Sequence, residues 1–256
     1  MGAPWSHDRY CDAVELEISR LAGAAREADL AAPVPTCPGW DVATLVRHIG
    51  GVHRWAGGMV AARSERRLGL RDLGVKFPED PADLLPWFAE GGAELLRALR
   101  STDPGTPVWT WGADQRVGFW SRRMLQETVV HRCDAELALG REPVIEPDVA
   151  DDGIDELVGN LSYAAAFTPK IKELAGDGET LAFSAADTGG RWSFRLTPEG
   201  FTEGPGAAAG DPGAAVDAAA GDLYLFLWGR RKLGDPRLAI SGDEALLIRW
   251  VEHTAI

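Results

Sequence analysis

Two ionisable side chains in the middle of the chain stand at a spacing that suits a shared ligand. Glu127 and His131 are four residues apart in the stretch "QETVVHRCDAELALG", residues 126–140. On a helix this spacing places both side chains on one face, about 6 Å apart along the axis. A neutral imidazole and a carboxylate are both ligands of zinc and similar divalent metals. The pair therefore predicts either part of a metal site or a simple hydrogen bond on a helix face.

The helix that carries this pair is expected to run from about Phe119 to Leu139, with Gly140 at its C-terminal end. Polar and apolar side chains share one stripe of it, at steps of three and four residues. The members of that stripe are Trp120, Met124, Glu127, His131, Asp134 and Ala138. Charges in a helix this apolar are costly unless they are paired, hydrogen-bonded or bound to a metal.

A further ligand could come from the stretch "CPGWDVATLVRHIGGVHRWAG", residues 37–57. Asp41 is expected to cap a helix that continues to about Arg66. His48 and His53 lie on opposite flanks of the apolar stripe of this helix, and periodicity does not decide which one faces inward. Either could be a packed core histidine. If one faces the interior, three protein ligands would leave a coordination position open, as in catalytic metal sites.

The first 140 residues predict four helices and thus an up-down bundle. A first helix is expected from about Asp8 to Asp29, where apolar residues recur at helical steps. The third helix is expected to follow Pro81, and Pro86 and Gly91–Gly92 are expected to kink it or delay its start.

The character of the chain changes at "GREPVIEP", residues 140–147, which predicts two domains with the bounds 1–145 and 146–256. A helix is expected at about 149–167, followed by the strands "ETLAFSAAD" and "RWSFRLT". The Gly/Ala-rich stretch "GDPGAAVDAAAG" is expected to hold a further short strand. A helix "DLYLFLWGR" capped by Asp222, a strand "LAISG" and a closing helix "DEALLIRWVEHTA" complete a predicted α+β domain.

Composition and charge exclude several classes of function. The net charge of −13 argues against nucleic acid and anionic membranes as partners. We find neither a run of 18 apolar residues nor the pattern of a signal peptide. The chain has three cysteines, and they form no C-x-x-C motif. Neither a disulfide framework nor a cysteine zinc site is therefore expected. These features predict a cytoplasmic protein, a monomer or small homo-oligomer.

Three segments of the chain together resemble one family. The stretch "PVPTCPGWDVATLVRHIGG", residues 33–51, is similar to the start of the mycothiol-dependent maleylpyruvate isomerase family, one of the DinB-like metal-binding bundles. Its pattern there is Pro-Gly-Trp, a polar residue, and then L-x-x-H-(L/I). The segment 126–140 resembles the second metal segment of the family. The stretches "AAAGDLYLFLWGRRKL" and "LAISGDEALLIRWVE" are similar to its C-terminal domain, with its W-G-R and G-D patterns.

The resemblance implies a fold and a set of metal ligands. The fold would be α+β, with an N-terminal DinB-like four-helix bundle followed by a small sterol-carrier-like α/β domain. The metal ligands would be His48, Glu127 and His131, a choice of His48 over His53 that periodicity could not make. The metal would be a divalent cation, with zinc the first candidate.

The resemblance also implies an activity. Members of the family use mycothiol, a small thiol of actinobacteria, and the arginine-rich composition agrees with a GC-rich host. The expected enzyme is a metal-dependent, mycothiol-using isomerase or S-transferase that acts on a small electrophilic or acidic substrate. Two other functions stay open: a metal hydrolase that uses the same residues without a thiol, and a non-catalytic ligand-binding module.

Three further residues are candidates for binding. Arg230 matches the W-G-R position and is the candidate catalytic cation for an acidic substrate, while Arg231 and Trp40 are candidates for binding the thiol cofactor. Both arginines could instead cap a helix C-terminus, and the tryptophan could pack in the core.

The side chains next to the candidate ligands leave alternatives. Asp134 could orient a ligand histidine, or it could pair with Arg132. Cys37 and Cys133 receive no nucleophilic role, because an external thiol would supply the sulfur and buried cysteines are usually inert.

Overall fold

A computed structural model describes residues 5–204 and 211–254, which fall into two compact units bounded at residues 144 and 145. The first unit is helical, and the second contains a sheet. The predicted α+β fold class is confirmed. The helices of the first unit are α1 (His7–Glu27), α2 (Val42–Ala62), α3 (Leu84–Arg100) and α4 (Val117–Ala138). The second unit holds α5 (Pro147–Asn160), α6 (Ala220–Leu227), α7 (Glu244–Thr254) and the strands β1 (Thr180–Ala185), β2 (Arg191–Thr197), β3 (Gly200–Glu203), β4 (Ala214–Ala218) and β5 (Ala239–Gly242).

The four helices of the first unit pack around one core. The main contacts join α1 to α4 and α2 to α3, and further contacts join α1 to α3 and α2 to α4. Large apolar side chains fill the space between them and are fully buried, among them Leu21, Leu45, Met59, Phe88 and Trp120. Among the described residues, we find no helix that combines the length and the hydropathy needed to cross a bilayer.

Helix α2 begins where the sequence predicts. The carboxylate of Asp41 accepts a hydrogen bond of 2.7 Å from the backbone N–H of Thr44, so the predicted N-cap is confirmed. The helix ends at Ala62, earlier than the predicted Arg66, because Arg63 adopts a left-handed conformation with φ of 46°. The cap fixes the first turn and therefore the direction of the turns that carry His48.

Helix α3 runs without a break through Pro86 and Gly91–Gly92, which the sequence predicts to kink it or to delay its start. It starts at Leu84, after a 3-10 turn at Pro81–Asp83. Of the two predicted alternatives, the late start is therefore confirmed. A Cβ atom at Gly91 would collide with the guanidinium of Arg54 on α2. The glycines therefore make room for neighbouring helices rather than break the helix.

The sheet of the second unit has the strand order β3-β2-β1-β4-β5. Strands β1 and β4 are parallel, and all other neighbours are antiparallel. Phe183 of β1 and Phe194 of β2 both contact Trp250 of α7, with ring centroids 5.6 and 4.2 Å apart. The ring of Phe183 also lies 6.4 Å from that of Phe226 on α6. Helices α6 and α7 thus contribute aromatic side chains to the core of the sheet.

Three details of the second unit differ from the sequence predictions. Strand β3 was missed, because it spans only four residues and offers little alternation. The helix expected to reach residue 167 ends at Asn160 and continues as a 3-10 helix. Asp222 was wrongly expected to cap α6: Ala219 occupies that position, and Asp222 pairs with Arg231 at 2.7 Å instead. Part of the predicted Gly/Ala-rich strand segment, Gly210, lies outside the described residues.

A pair of glycine substitutions tests the packing of α2 against α3. A Cβ atom at Gly50 would overlap the ring of Trp87, which donates to the carbonyl of Lys76 at 2.9 Å and so cannot readily move. We expect Gly50→Ala to destabilise the protein by about 1–3 kcal/mol. Gly23 of α1 has no heavy atom within 4 Å of such a Cβ. The control Gly23→Ala should instead stabilise by about 0.5–1 kcal/mol. Urea unfolding measures both, and equal effects of the two would contradict the packing argument.

Candidate metal centre

Three of the predicted site residues lie together between α2 and α4. His48 comes from α2, and Glu127 and His131 come from α4; one ligand atom from each lies within 4.8 Å of the others. The Oε1 atom of Glu127 is 3.2 Å from Nε2 of His48 and 3.5 Å from Nε2 of His131. One carboxylate oxygen therefore faces two imidazole nitrogens.

These distances are compatible with a tetrahedral metal. Zinc binds nitrogen and oxygen at about 2.0–2.2 Å, so two ligand atoms at tetrahedral positions stand roughly 3.3–3.6 Å apart. The separations of 3.2 and 3.5 Å between Glu127 Oε1 and the two Nε2 atoms are close to that value. Two imidazoles and a carboxylate form a donor set that suits zinc, iron or nickel. The residues thus fit a divalent cation.

Asp134 supports the ring of His131 from the other side. Its carboxylate is buried, and Oδ2 lies 2.9 Å from Nδ1 of His131. The hydroxyl of Thr36 donates to Oδ1 at 2.5 Å, and the thiol of Cys37 donates to Oδ2 at 3.4 Å. A carboxylate at Nδ1 fixes the tautomer that leaves the Nε2 lone pair available to a ligand.

The alternative partner of Asp134 is engaged elsewhere. Arg132 lies on the same helix, and its guanidinium pairs with Glu17 of α1 and with Glu136, both at 2.8 Å. This buried ion pair joins α1 to α4. Of the two roles considered for Asp134, the contact with His131 is therefore the one that the structure provides.

The charges of the cluster are strongly coupled. Burial would lower the pKa of His131, but its hydrogen bonds with Asp134, Cys37 and Glu127 outweigh burial and raise the pKa to about 10. Burial would raise the pKa of Glu127, yet hydrogen bonds with His131 and His48 and the charge of Arg123 hold it well below its usual value. Both shifts favour the charged forms of the two side chains when no metal compensates them. A divalent cation at Nε2 of His131 would compete with a proton for that nitrogen.

A second set of potential ligands shares His131. Cys37 and Asp134 also offer ligand atoms within 4.8 Å of that histidine, and all three residues are buried. Their hydrogen bonds join them on the Nδ1 side of the ring. In the first set, by contrast, the side chains of His48 and Glu127 are 36% and 20% exposed. Only the first set is therefore open to a small molecule.

A tight turn places an aromatic ring beside the cluster. The backbone N–H of Trp40 donates to the carbonyl of Cys37 at 3.0 Å, across Pro38 and Gly39. Gly39 has φ of 82°, and proline followed by glycine in a left-handed conformation is typical of a type II turn. The Trp40 ring centroid lies 4.9 Å from that of His48 and 6.0 Å from that of His131. Trp40 thus forms one wall of the cluster, and its role in binding a cofactor stays a prediction.

His53 lies in the core instead. It is fully buried, its ring stacks on Phe88 with centroids 5.6 Å apart, and its Nε2 donates to the hydroxyl of Thr128 at 2.9 Å. That hydroxyl in turn donates to the carbonyl of Met124. Burial lowers the pKa of His53 to about 3, so the ring is neutral. The question that periodicity left open is thereby answered by packing: His48 faces the cluster.

The two candidate arginines belong to the second unit. Arg231 is buried and pairs with Asp222 at 2.7 Å and with Asp235 at 2.8 Å. Arg230 is half-buried and donates to the carbonyl of Trp228, just beyond the end of α6. The contact of Arg230 matches the capping alternative, whereas Arg231 forms ion pairs with two carboxylates. The roles of the two arginines toward substrate and cofactor stay predictions.

Sequence reasoning missed Arg123. Its Nη2 donates to Oε2 of Glu127 at 2.8 Å, and its side chain is only 5% exposed. The available signal was its position four residues before Glu127, on the same face of α4.

Comparison with known proteins identifies the family. The sequence-family model for the mycothiol maleylpyruvate isomerase N-terminal domain matches residues 11–136. The family model for the C-terminal domain matches residues 148–249. The chain belongs to the mycothiol-dependent maleylpyruvate isomerase family. The family resemblance of the sequence motifs is thereby confirmed. No curated protein matches the sequence.

Solved structures of this family show the same fold. A crystal structure of the mycothiol-dependent maleylpyruvate isomerase aligns with a TM-score of 0.62 and 15% identity, covering 93% of each chain. A mutant of that isomerase, in which alanine replaces a histidine, aligns with the same values. The isomerase fold thus extends over both matched regions of the chain.

The neutral state of His53 predicts a dependence of stability on pH. Its pKa is lower in the folded than in the unfolded protein, so only the unfolded state takes up a proton between about pH 6.5 and pH 3. Stability is therefore lost as the pH falls through this range. We expect the free energy of unfolding of metal-free wild type to fall more steeply than that of His53→Leu, by up to about 1.4 kcal/mol per pH unit. Urea unfolding at pH 7, 6 and 5 measures the difference, and parallel curves would contradict a neutral buried His53.

Proposed function

We propose that this protein is a divalent-metal-dependent, mycothiol-using isomerase that acts on a small acidic substrate with a cis double bond. The observation that carries the proposal is the single oxygen of Glu127 that faces Nε2 of His48 and of His131 at 3.2 and 3.5 Å. Membership of the family supports the thiol and the isomerase chemistry.

The metal would be held by His48, Glu127 and His131, with zinc the first candidate. When bound, a divalent cation supplies a Lewis acid that favours the thiolate over the thiol and polarises a carbonyl oxygen. Three protein ligands leave room for an exogenous one, which distinguishes catalytic from structural zinc sites. The side chain of His48 is 36% exposed, so a small molecule can reach the cluster.

The cysteines of the chain are poor candidates for the nucleophile, which supports an external thiol. Burial raises the pKa of Cys11 to about 11 and that of Cys133 to about 12. Cys37 is buried, and its thiol is engaged as a donor to Asp134. A thiol is a nucleophile only as the thiolate, so Cys11 and Cys133 are not poised to react near neutral pH.

The surrounding side chains would bind and orient the reactants. The thiolate sulfur would add to one carbon of the cis double bond, and the π electrons would move onto the conjugated carbonyl oxygen of the substrate. The remaining single bond would rotate. The electron pair would then return to re-form the double bond, and the sulfur would leave as the thiolate. Trp40 would cover one side of the two imidazoles and limit the access of water. Asp134 would keep the proton on Nδ1 of His131. Arg230 is the proposed partner of a substrate carboxylate, supported by its W-G-R motif and by partial exposure.

Metal content tests the ligand set. We expect His48→Ala, Glu127→Ala and His131→Ala to lose the metal, because each removes one of three protein donors. The matched control is His53→Ala, which removes an imidazole from the same helix as His48 without removing a ligand, and should bind about one metal per chain like wild type. Elemental analysis after zinc reconstitution and gel filtration measures the ratio. Retention of metal in these three variants would contradict the proposed ligand set.

Thiol dependence tests the reaction. We expect zinc-loaded protein to convert a cis-unsaturated keto acid such as maleylpyruvate to the trans isomer only with mycothiol. Glu127→Gln should reduce kcat/KM by at least about 10²-fold, since the metal would lose an anionic ligand. Absorbance of the substrate follows turnover, and calorimetry measures mycothiol binding independently of the substrate chosen. Isomerisation without thiol would contradict the thiol dependence, and hydrolysis of the substrate without thiol would indicate a hydrolase. An absence of mycothiol binding would indicate a non-catalytic module, and each of these outcomes would contradict the proposal.

A further inference from the structure

Arg123 is a buried cation in direct contact with a proposed metal ligand. It lies one helical turn before Glu127 on α4, and its side chain is 5% exposed. The guanidinium carbon lies 5.9 Å from the ring centroid of Trp111, within the outer range of a cation–π contact. At this depth Arg123 is poorly placed to bind a substrate directly, and its contact with Glu127 connects it to the proposed ligand set.

The two oxygens of Glu127 have different partners. Oε1 faces the Nε2 atoms of His48 and His131, whereas Oε2 accepts a hydrogen bond of 2.8 Å from Nη2 of Arg123. A carboxylate can bind a metal through one oxygen or through both. A charge-assisted hydrogen bond to guanidinium is about twice as strong as a neutral one, so it favours the orientation in which Oε2 faces Arg123.

We propose that Arg123 is a positioning residue that restricts Glu127 to one metal-binding oxygen. The inference rests on the proposed function, since it assumes a metal at His48, Glu127 and His131. With Oε2 engaged, the carboxylate fills one coordination position instead of two. The position that Oε2 would otherwise take stays available to the thiol cosubstrate.

The same contact adjusts the charge at the metal. A guanidinium near a divalent cation repels it, but it also withdraws electron density from the carboxylate that lies between them. Glu127 then neutralises less of the metal charge than an isolated carboxylate would. A less neutralised metal would favour the thiolate form of an exogenous thiol more strongly.

The chain contains a matched control on the same helix. Arg132 of α4 is also buried, and it also pairs with a carboxylate one turn away, Glu136 at 2.8 Å. Its other partner, Glu17, is likewise outside the metal cluster. Replacing Arg132 therefore removes a buried ion pair of α4 without touching a proposed ligand.

The experiment compares Arg123→Met with Arg132→Met after loading with cobalt(II), whose visible absorption reports coordination number. In Arg123→Met the second oxygen of Glu127 is released, so we expect weaker and shifted cobalt bands, as for five- or six-coordinate metal. Chelator competition should show the dissociation constant of the metal changed by about 10–100-fold. Arg132→Met should keep the spectrum and metal affinity of wild type, whatever its loss of stability.

A second variant keeps the test decisive if Arg123→Met fails to fold. Arg123→Gln retains a neutral donor of similar reach, and it should shift the cobalt bands in the same direction by a smaller amount. Wild-type spectra and affinities in the Arg123 variants, or equal changes in Arg132→Met, would overturn the inference while leaving the metal site intact. If the wild-type protein binds no cobalt, the result contradicts the proposed metal-dependent function and, with it, the role proposed for Arg123.

Discussion

The structure around the candidate site depends on the cost of enclosing the carboxylate of Glu127. A partly buried anion destabilises a helical bundle unless other groups compensate its charge. His48 from α2 and His131 and Arg123 from α4 provide that compensation. Because the contacts with His48 are only a few ångströms long, α2 and α4 must keep a fixed separation. The contact between His48 and Glu127 therefore depends on the packing of α2 against α4.

Two short segments of the chain build nearly all of the cluster. The segment before and within α2 supplies Thr36, Cys37 and Trp40 from its turn and His48 from its helix. Helix α4 supplies Arg123, Glu127, His131 and Asp134. The type II turn at Pro38–Gly39 directs the tryptophan ring toward the imidazoles while the thiol and hydroxyl turn toward Asp134. All of these residues belong to the helical unit, so the proposed metal site needs no ligand from the sheet-containing unit.

The polar contacts around His131 form a connected chain. Thr36 and Cys37 donate to Asp134, Asp134 holds Nδ1 of His131, and Nε2 of the same ring faces Glu127. Fully connected networks of this kind restrict rotamers, since each group would be left unsatisfied by a rotation of its neighbour. Such restriction is what a metal site requires of its ligands.

Sequence patterns alone predict the helices of the first unit, the cap at Asp41, and the placement of Glu127 and His131 on one face of α4. These features depend on local spacing, which the helical repeat converts directly into geometry. Family motifs added the choice of His48. What the structure decided was the environment: periodicity gives the angle of a side chain about its own axis but not the position of the neighbouring helix. That position sends His48 to the cluster and His53 to the core, and it leaves Arg123 a buried partner of one oxygen of Glu127.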